Sequence, residues 1–129
     1  MRTHTDSIQI AAPAADVVAL VADLDQLPRW AVGFAKAVEA EGDGHVVTLT
    51  SGERIPISVT ADERTGVVDF DAGGVPARTR TVPVDGGCVH TFVMVQGPGQ
   101  SDEIFDAQIV ALRHELTVLK AISEASCPL

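Results

Sequence analysis

Apolar residues recur with two different periods along this chain of 129 residues. Over 101–126, Phe105, Ile109, Leu112, Leu116 and Leu119 fall four, three, four and three apart. That spacing keeps them on one helical face and predicts a single long closing helix. About 25 residues at 1.5 Å each reach roughly 38 Å, enough to cross a small domain. Ser101 is a suitable N-cap, and Asp102 and Glu103 place negative charge at the positive end of the helix dipole. Gln108 and Glu115 interrupt this pattern, because they fall inside the apolar arc two turns from each other. A fully packed core does not accept a lone carboxylate. Either the helix roofs a space lined by a sheet, or both side chains reach water past the sheet edge.

Upstream the pattern is shorter and alternating. Residues 7–10 alternate polar and apolar and predict a first strand, stopped by Ala11-Ala12-Pro13. Pro13 suits the start of a helix over 13–23, with Val17, Leu20, Val21 and Leu24 on its buried side. Asp25 can cap a second, short helix containing Trp30, with Gly33 as its end. From Ala35 the period is two. Six strands follow, separated by Glu41-Gly42-Asp43-Gly44, Ser51-Gly52-Glu53, residues 62–66, Gly73-Gly74 and Asp85-Gly86-Gly87. The sixth strand is expected over 77–84 and the seventh over 88–96. The order β-α-α-β-β-β-β-β-β-α describes one α+β domain, residues 1–129, with an antiparallel sheet.

Composition narrows the function classes. A formal net charge of −9 repels phosphate backbones, so nucleic acid is not an expected partner. No apolar run approaches the roughly 18 residues that span a bilayer. The N-terminal residues lack the apolar segment of a secretory signal. Cys88 and Cys127 offer neither a disulfide framework nor metal spacing, which fits a reduced, cytoplasmic setting. The four histidines, His4, His45, His90 and His114, have no ligand-like spacing, so no metal or cofactor is expected. There is no phosphate loop and no Gly-x-Ser-x-Gly elbow, and Cys88 has no activating neighbour.

Candidate chemistry therefore rests on a few positions. Glu115, if buried, has a raised pKa and suits proton transfer; with Gln108 it would orient a ligand hydroxyl or carbonyl. In the seventh strand Cys88, His90, Phe92 and Met94 share one face, placed inward because Phe92 and Met94 are the bulkier pair. His90 is then either an acid–base partner for Glu115 or a structural histidine bonded within the core. Arg78 and Arg80 share a face with Val82 and Val84. With the valines inward, both guanidinium groups reach the cavity and would bind a carboxylate or phosphate; in the opposite sense they are solvated, opposite Thr79 and Thr81. Trp30 is the only tryptophan, and with Phe34 four residues later it would pack the short helix on the sheet.

Three stretches carry a family likeness. They are Ile8-Gln9-Ile10-Ala11-Ala12-Pro13-Ala14-Ala15-Asp16-Val17, the run from Val21 to Trp30, and the closing segment from Ser101-Asp102-Glu103 through Leu116-Thr117-Val118-Leu119-Lys120. Together they resemble the START-like (SRPBCC) superfamily, which includes polyketide cyclases and the birch-pollen-allergen fold. The resemblance implies a helix-grip fold, in which a curved seven-stranded sheet wraps a long C-terminal helix around a cavity for an apolar or aromatic ligand. It implies that the corner of Trp30 and Phe34 closes one end of that cavity; further ligand contacts are expected from the inward Phe92 and Met94, from Leu112 on the helix stripe, and from the polar candidates above. Three functions compete. The first is binding of a small hydrophobic or aromatic molecule; the second is a cyclase or dehydratase using His90 and Glu115. The third is an interaction module with a filled cavity; a second copy of the chain is a further candidate partner.

Overall fold

The computed structural model describes residues 1–126 and follows the expected order. Its strands are β1 (Thr3–Ile10), β2 (Ala35–Glu41), β3 (Gly44–Leu49), β4 (Arg54–Asp62), β5 (Val67–Ala72), β6 (Val75–Val84) and β7 (Gly87–Val95). Its helices are α1 (Ala14–Ala22), α2 (Leu27–Trp30) and α3 (Asp102–Ala125), with a 3-10 turn at Leu24–Gln26. All strand pairs are antiparallel, and the curved sheet has the order β1-β7-β6-β5-β4-β3-β2. The result is the helix-grip architecture. Among the described residues no helix is long and apolar enough to cross a membrane. Cys127 lies outside the described residues.

The local signals act where the chemistry requires. Ser101 caps α3, its hydroxyl accepting from the Ile104 N–H at 3.2 Å. Phe105, Leu112, Leu116 and Leu119 are buried beneath the helix, and Ile109 is half-buried. The Arg2 guanidinium lies 5.0 Å from the Phe105 ring centroid and pairs with Asp106 at 2.7 Å, tying the start of the chain to α3. Pro13 is the N-cap of α1. The cap near α2 differs from expectation: the Asp23 carboxylate, not that of Asp25, accepts a backbone N–H, at Asp25 itself, and opens the 3-10 turn.

β1 begins four residues before the expected Ser7. The earlier residues carry no apolar alternation because their inner positions are filled by His4 and Asp6, which pair with each other at 3.2 Å. Arg113 of α3 also donates to Asp6 at 3.1 Å. An ion-paired edge strand is invisible to a search for apolar periodicity.

β6 takes the second of its two possible orientations, which removes Arg78 and Arg80 from the expected ligand contacts. Thr79 and Thr81 face the core, with 0% and 2% exposure, whereas Val82 and Val84 are 53% and 40% exposed. Residues directly opposite in neighbouring strands share a sheet face. Thr79 stands opposite Val68 and Phe92, and Thr81 opposite His90, all inward, so the intervening Arg78 and Arg80 must point out. Outside, Arg80 pairs with Asp69 at 3.0 Å. The Thr79 hydroxyl donates to the Val68 carbonyl at 2.8 Å, which makes a buried threonine as acceptable as a valine.

α3 makes its close backbone approaches to β1, α1 and α2, while α1 packs on β4 to β7. Between α3 and the remaining concave surface, beyond the end of α1, a space is left open.

Candidate functional site

That space is a cavity of about 260 Å³. The sheet supplies its floor through inward side chains of β3 to β7, among them Ile57, Phe70, Phe92 and Met94. The corner of α2 and the turn after it supplies Leu27, Trp30 and Phe34. α3 supplies the roof with Gln108, Ala111, Leu112 and Glu115. The two polar residues that break the apolar stripe of α3 thus do line a cavity. Their environments differ: Gln108 is exposed at the mouth, whereas Glu115 is 6% exposed.

Glu115 is held by the corner opposite. The Gly33 N–H donates to Glu115 Oε2 at 3.0 Å across 82 residues of chain. A side chain at residue 33 would spoil this, since a Cβ there would lie 3.0 Å from the Ala111 Cβ and 3.4 Å from Oε2. Glycine is needed at this turn for close approach to α3, not as a helix terminator. Burial raises the Glu115 pKa from 4.5 to about 7, and the backbone N–H groups of Gly33 and Phe34 only partly oppose that rise. Near neutral pH the carboxyl is poised between its two charge states.

His90 is inward and fully buried, but it does not line the cavity. Its Nδ1 is hydrogen-bonded to the Thr81 hydroxyl at 2.9 Å, and its Nε2 has no partner among the described residues. Desolvation lowers its pKa to about 4, so the ring is neutral through the physiological range. No hydrogen bond joins it to Glu115. Of its two possible roles His90 therefore takes the structural one, and the candidate acid–base pair is split between the core and the cavity. Arg78 and Arg80 lie on the outer face and bring no guanidinium to the cavity, for the register reason given above. Trp30, Phe34, Phe92, Met94, Gln108, Leu112 and Glu115 are brought together there.

Sequence reasoning missed Gly33, Ala111 and Gln100, all on the wall. Ala111 had a readable signal: it is a small residue on the stripe between Gln108 and Glu115, where a large one would fill the space. Gln100 had none, since its place depends on the loop after β7, where its side chain accepts from the Gly97 N–H at 3.1 Å. Cys88 is buried, and desolvation raises its pKa, which removes it as a nucleophile. No group of three His, Cys, Asp or Glu suited to a metal occurs among the described residues.

Comparison with known proteins places this geometry. A family model described as polyketide cyclase / dehydrase and lipid transport matches residues 1–115. No curated protein matches the chain significantly. A START superfamily protein from Mycobacterium smegmatis superposes with a TM-score of 0.75 at 14% identity, covering 97% of this chain and 99% of that one. The di-domain ARO/CYC BexL from the BE-7585A biosynthetic pathway gives 0.74 at 20% identity, over 94% of this chain and 46% of that one. Ara h 8.0201 gives 0.67 at 16% identity, over 95% and 97%. At these identities the likeness establishes the fold.

Proposed function

The chain belongs to the polyketide cyclase / dehydrase and lipid transport family, and on that premise we propose that it binds a small apolar or aromatic molecule in the cavity beneath α3. The observation that carries this reading is the cavity itself, apolar over most of its wall with three polar side chains at its rim and roof. Its size bounds the ligand. An engineered apolar cavity of about 150 Å³ holds benzene, so about 260 Å³ suits a compact molecule of one or two rings. Such a space also weighs against the reading of a filled interaction module.

Trp30 supplies the test, because it is the only tryptophan and lines the wall. Its indole N–H gives a single side-chain signal in a two-dimensional 1H–15N NMR spectrum. Titration with 1-methylnaphthalene should shift that signal saturably. Ala77→Phe, which projects a ring from β6 into the cavity, should weaken binding by about tenfold or more while leaving the fold intact. Saturation that is unchanged in Ala77→Phe would place the ligand elsewhere and overturn the reading.

A second reading is catalytic and has its own support. A carboxyl with a pKa of about 7 in an apolar cavity can give and take a proton near neutral pH. In that reading Glu115 acts without His90, and activity on a cyclisable polyketone should fall at least about a hundredfold in Glu115→Gln and little in His90→Gln. Equal losses in both variants would argue against it.

A further inference from the structure

Charge is distributed unevenly around the cavity. Every side chain that β3 to β7 contribute to the wall is apolar. The remaining wall brings Gln100, Gln108 and the indole of Trp30, none of them ionisable. Among the described residues Glu115 is the one ionisable side chain lining the space. No lysine, arginine or histidine accompanies it: Arg78 and Arg80 point outward, and His90 lies in the core away from the wall. The Gly33 N–H satisfies one carboxylate oxygen but is not a counter-charge. A desolvated carboxylate without a counter-ion is complemented by a cation and opposed by an anion.

We infer that the ligand is a small aromatic molecule carrying a basic nitrogen, seated with its ammonium against the Glu115 carboxylate, and that aromatic carboxylates and phosphates are rejected. This rests on the reading of the cavity as a binding site and adds the ligand's charge to it. Trp30, Phe34, Phe70 and Phe92 enclose the aromatic body. At longer range the net charge of −9 draws cations toward the protein and repels anions. The same wall explains why an apolar body is required as well: a hydrated cation alone leaves the rest of the cavity unfilled.

Four probes that share one ring system separate these contributions: 1-naphthylmethylamine, 1-naphthylmethanol, 1-methylnaphthalene and 1-naphthoate, each titrated calorimetrically at pH 8. The amine should bind roughly ten- to a hundredfold more tightly than 1-methylnaphthalene, the range for a hydrogen bond to a charged group. The alcohol should fall between them, and naphthoate should bind most weakly. In Glu115→Gln, which keeps the shape and an acceptor for the Gly33 N–H, the amine and methylnaphthalene should agree within about threefold. The wild-type ranking tests the inference even if that variant does not fold. Naphthoate or methylnaphthalene binding as tightly as the amine overturns the inference and leaves the cavity reading standing. So does a preference for the amine that survives unchanged in Glu115→Gln. Absence of binding by all four probes overturns both.

Discussion

Glu115→Gln should stabilise the protein at pH 8 by about 3 kcal/mol relative to wild type, with the difference vanishing toward pH 4.5. Burial raises the Glu115 pKa from 4.5 to about 7. A carboxyl whose folded pKa is raised contributes stability that is complete below its unfolded pKa and is lost as pH rises through the folded one. The loss therefore falls between about pH 4.5 and 7, and at about 1.4 kcal/mol per pH unit it reaches on the order of 3 kcal/mol. His90 acts in the opposite sense, since its pKa is lowered from 6.5 to about 4. Its contribution is complete above pH 6.5 and is lost as pH falls toward 4. Over the shared window the two slopes cancel, and the wild type should show little pH dependence from this pair. Glu115→Gln removes one slope and should expose the other, leaving a variant that is more stable at pH 8 and loses stability steeply on acidification. Urea denaturation at pH 4.5, 6 and 8 measures this. Taking differences from wild type removes the exposed carboxylates from the comparison. A Glu115→Gln difference that is constant across pH would mean that Glu115 is not desolvated in solution.

The second large effect is expected at Gly66. Its backbone is left-handed, with φ +75°, and its carbonyl accepts from the Thr81 N–H at 2.9 Å, so the turn before β5 is seated directly on β6. A Cβ at Gly66 would lie 2.1 Å from the Thr81 carbonyl oxygen, which is backbone and cannot rotate away. Gly66→Ala must therefore separate β5 from β6 at the point where Thr81 also holds His90. The loss should exceed about 3 kcal/mol, a large share of the 5–15 kcal/mol that holds a domain folded. Gly42→Ala isolates the backbone component, because Gly42 has φ +61° with no atom near a Cβ. Its cost should be about 1 kcal/mol. Thermal or urea unfolding of the pair gives the comparison; equal losses at the two positions would show that the contact with Thr81 yields without cost.

The order of elements could be read from the sequence because it depends on local properties. Period-two runs punctuated by glycine and aspartate produced the six hairpin-linked strands, and Ser101 with the stripe from Phe105 to Leu119 produced α3. The two polar residues in that stripe were also legible as anomalies, and Glu115 proves to be buried in the cavity roof. The stripe did not separate Gln108 from Glu115. One lies at the mouth and the other under the α2 corner, a difference set by where α2 meets α3.

Faces and neighbours, by contrast, were fixed by packing between elements. A strand of alternating residues has two self-consistent orientations, and β6 offered valines on one face and threonines on the other. Pairing with β5 and β7 chose the threonines, because each strand's parity is tied to that of its neighbours, and hydrogen bonding made their burial acceptable. That choice removed two arginines from the cavity and left Glu115 without a counter-ion. The sign of the charge in the cavity is thus a property of the register of the sheet. Local spacing was enough to specify a long helix covering an antiparallel sheet, with a carboxyl where the core should be. Whether that carboxyl has a partner was decided by contacts between strands far apart in the chain, which periodicity along a single strand does not encode.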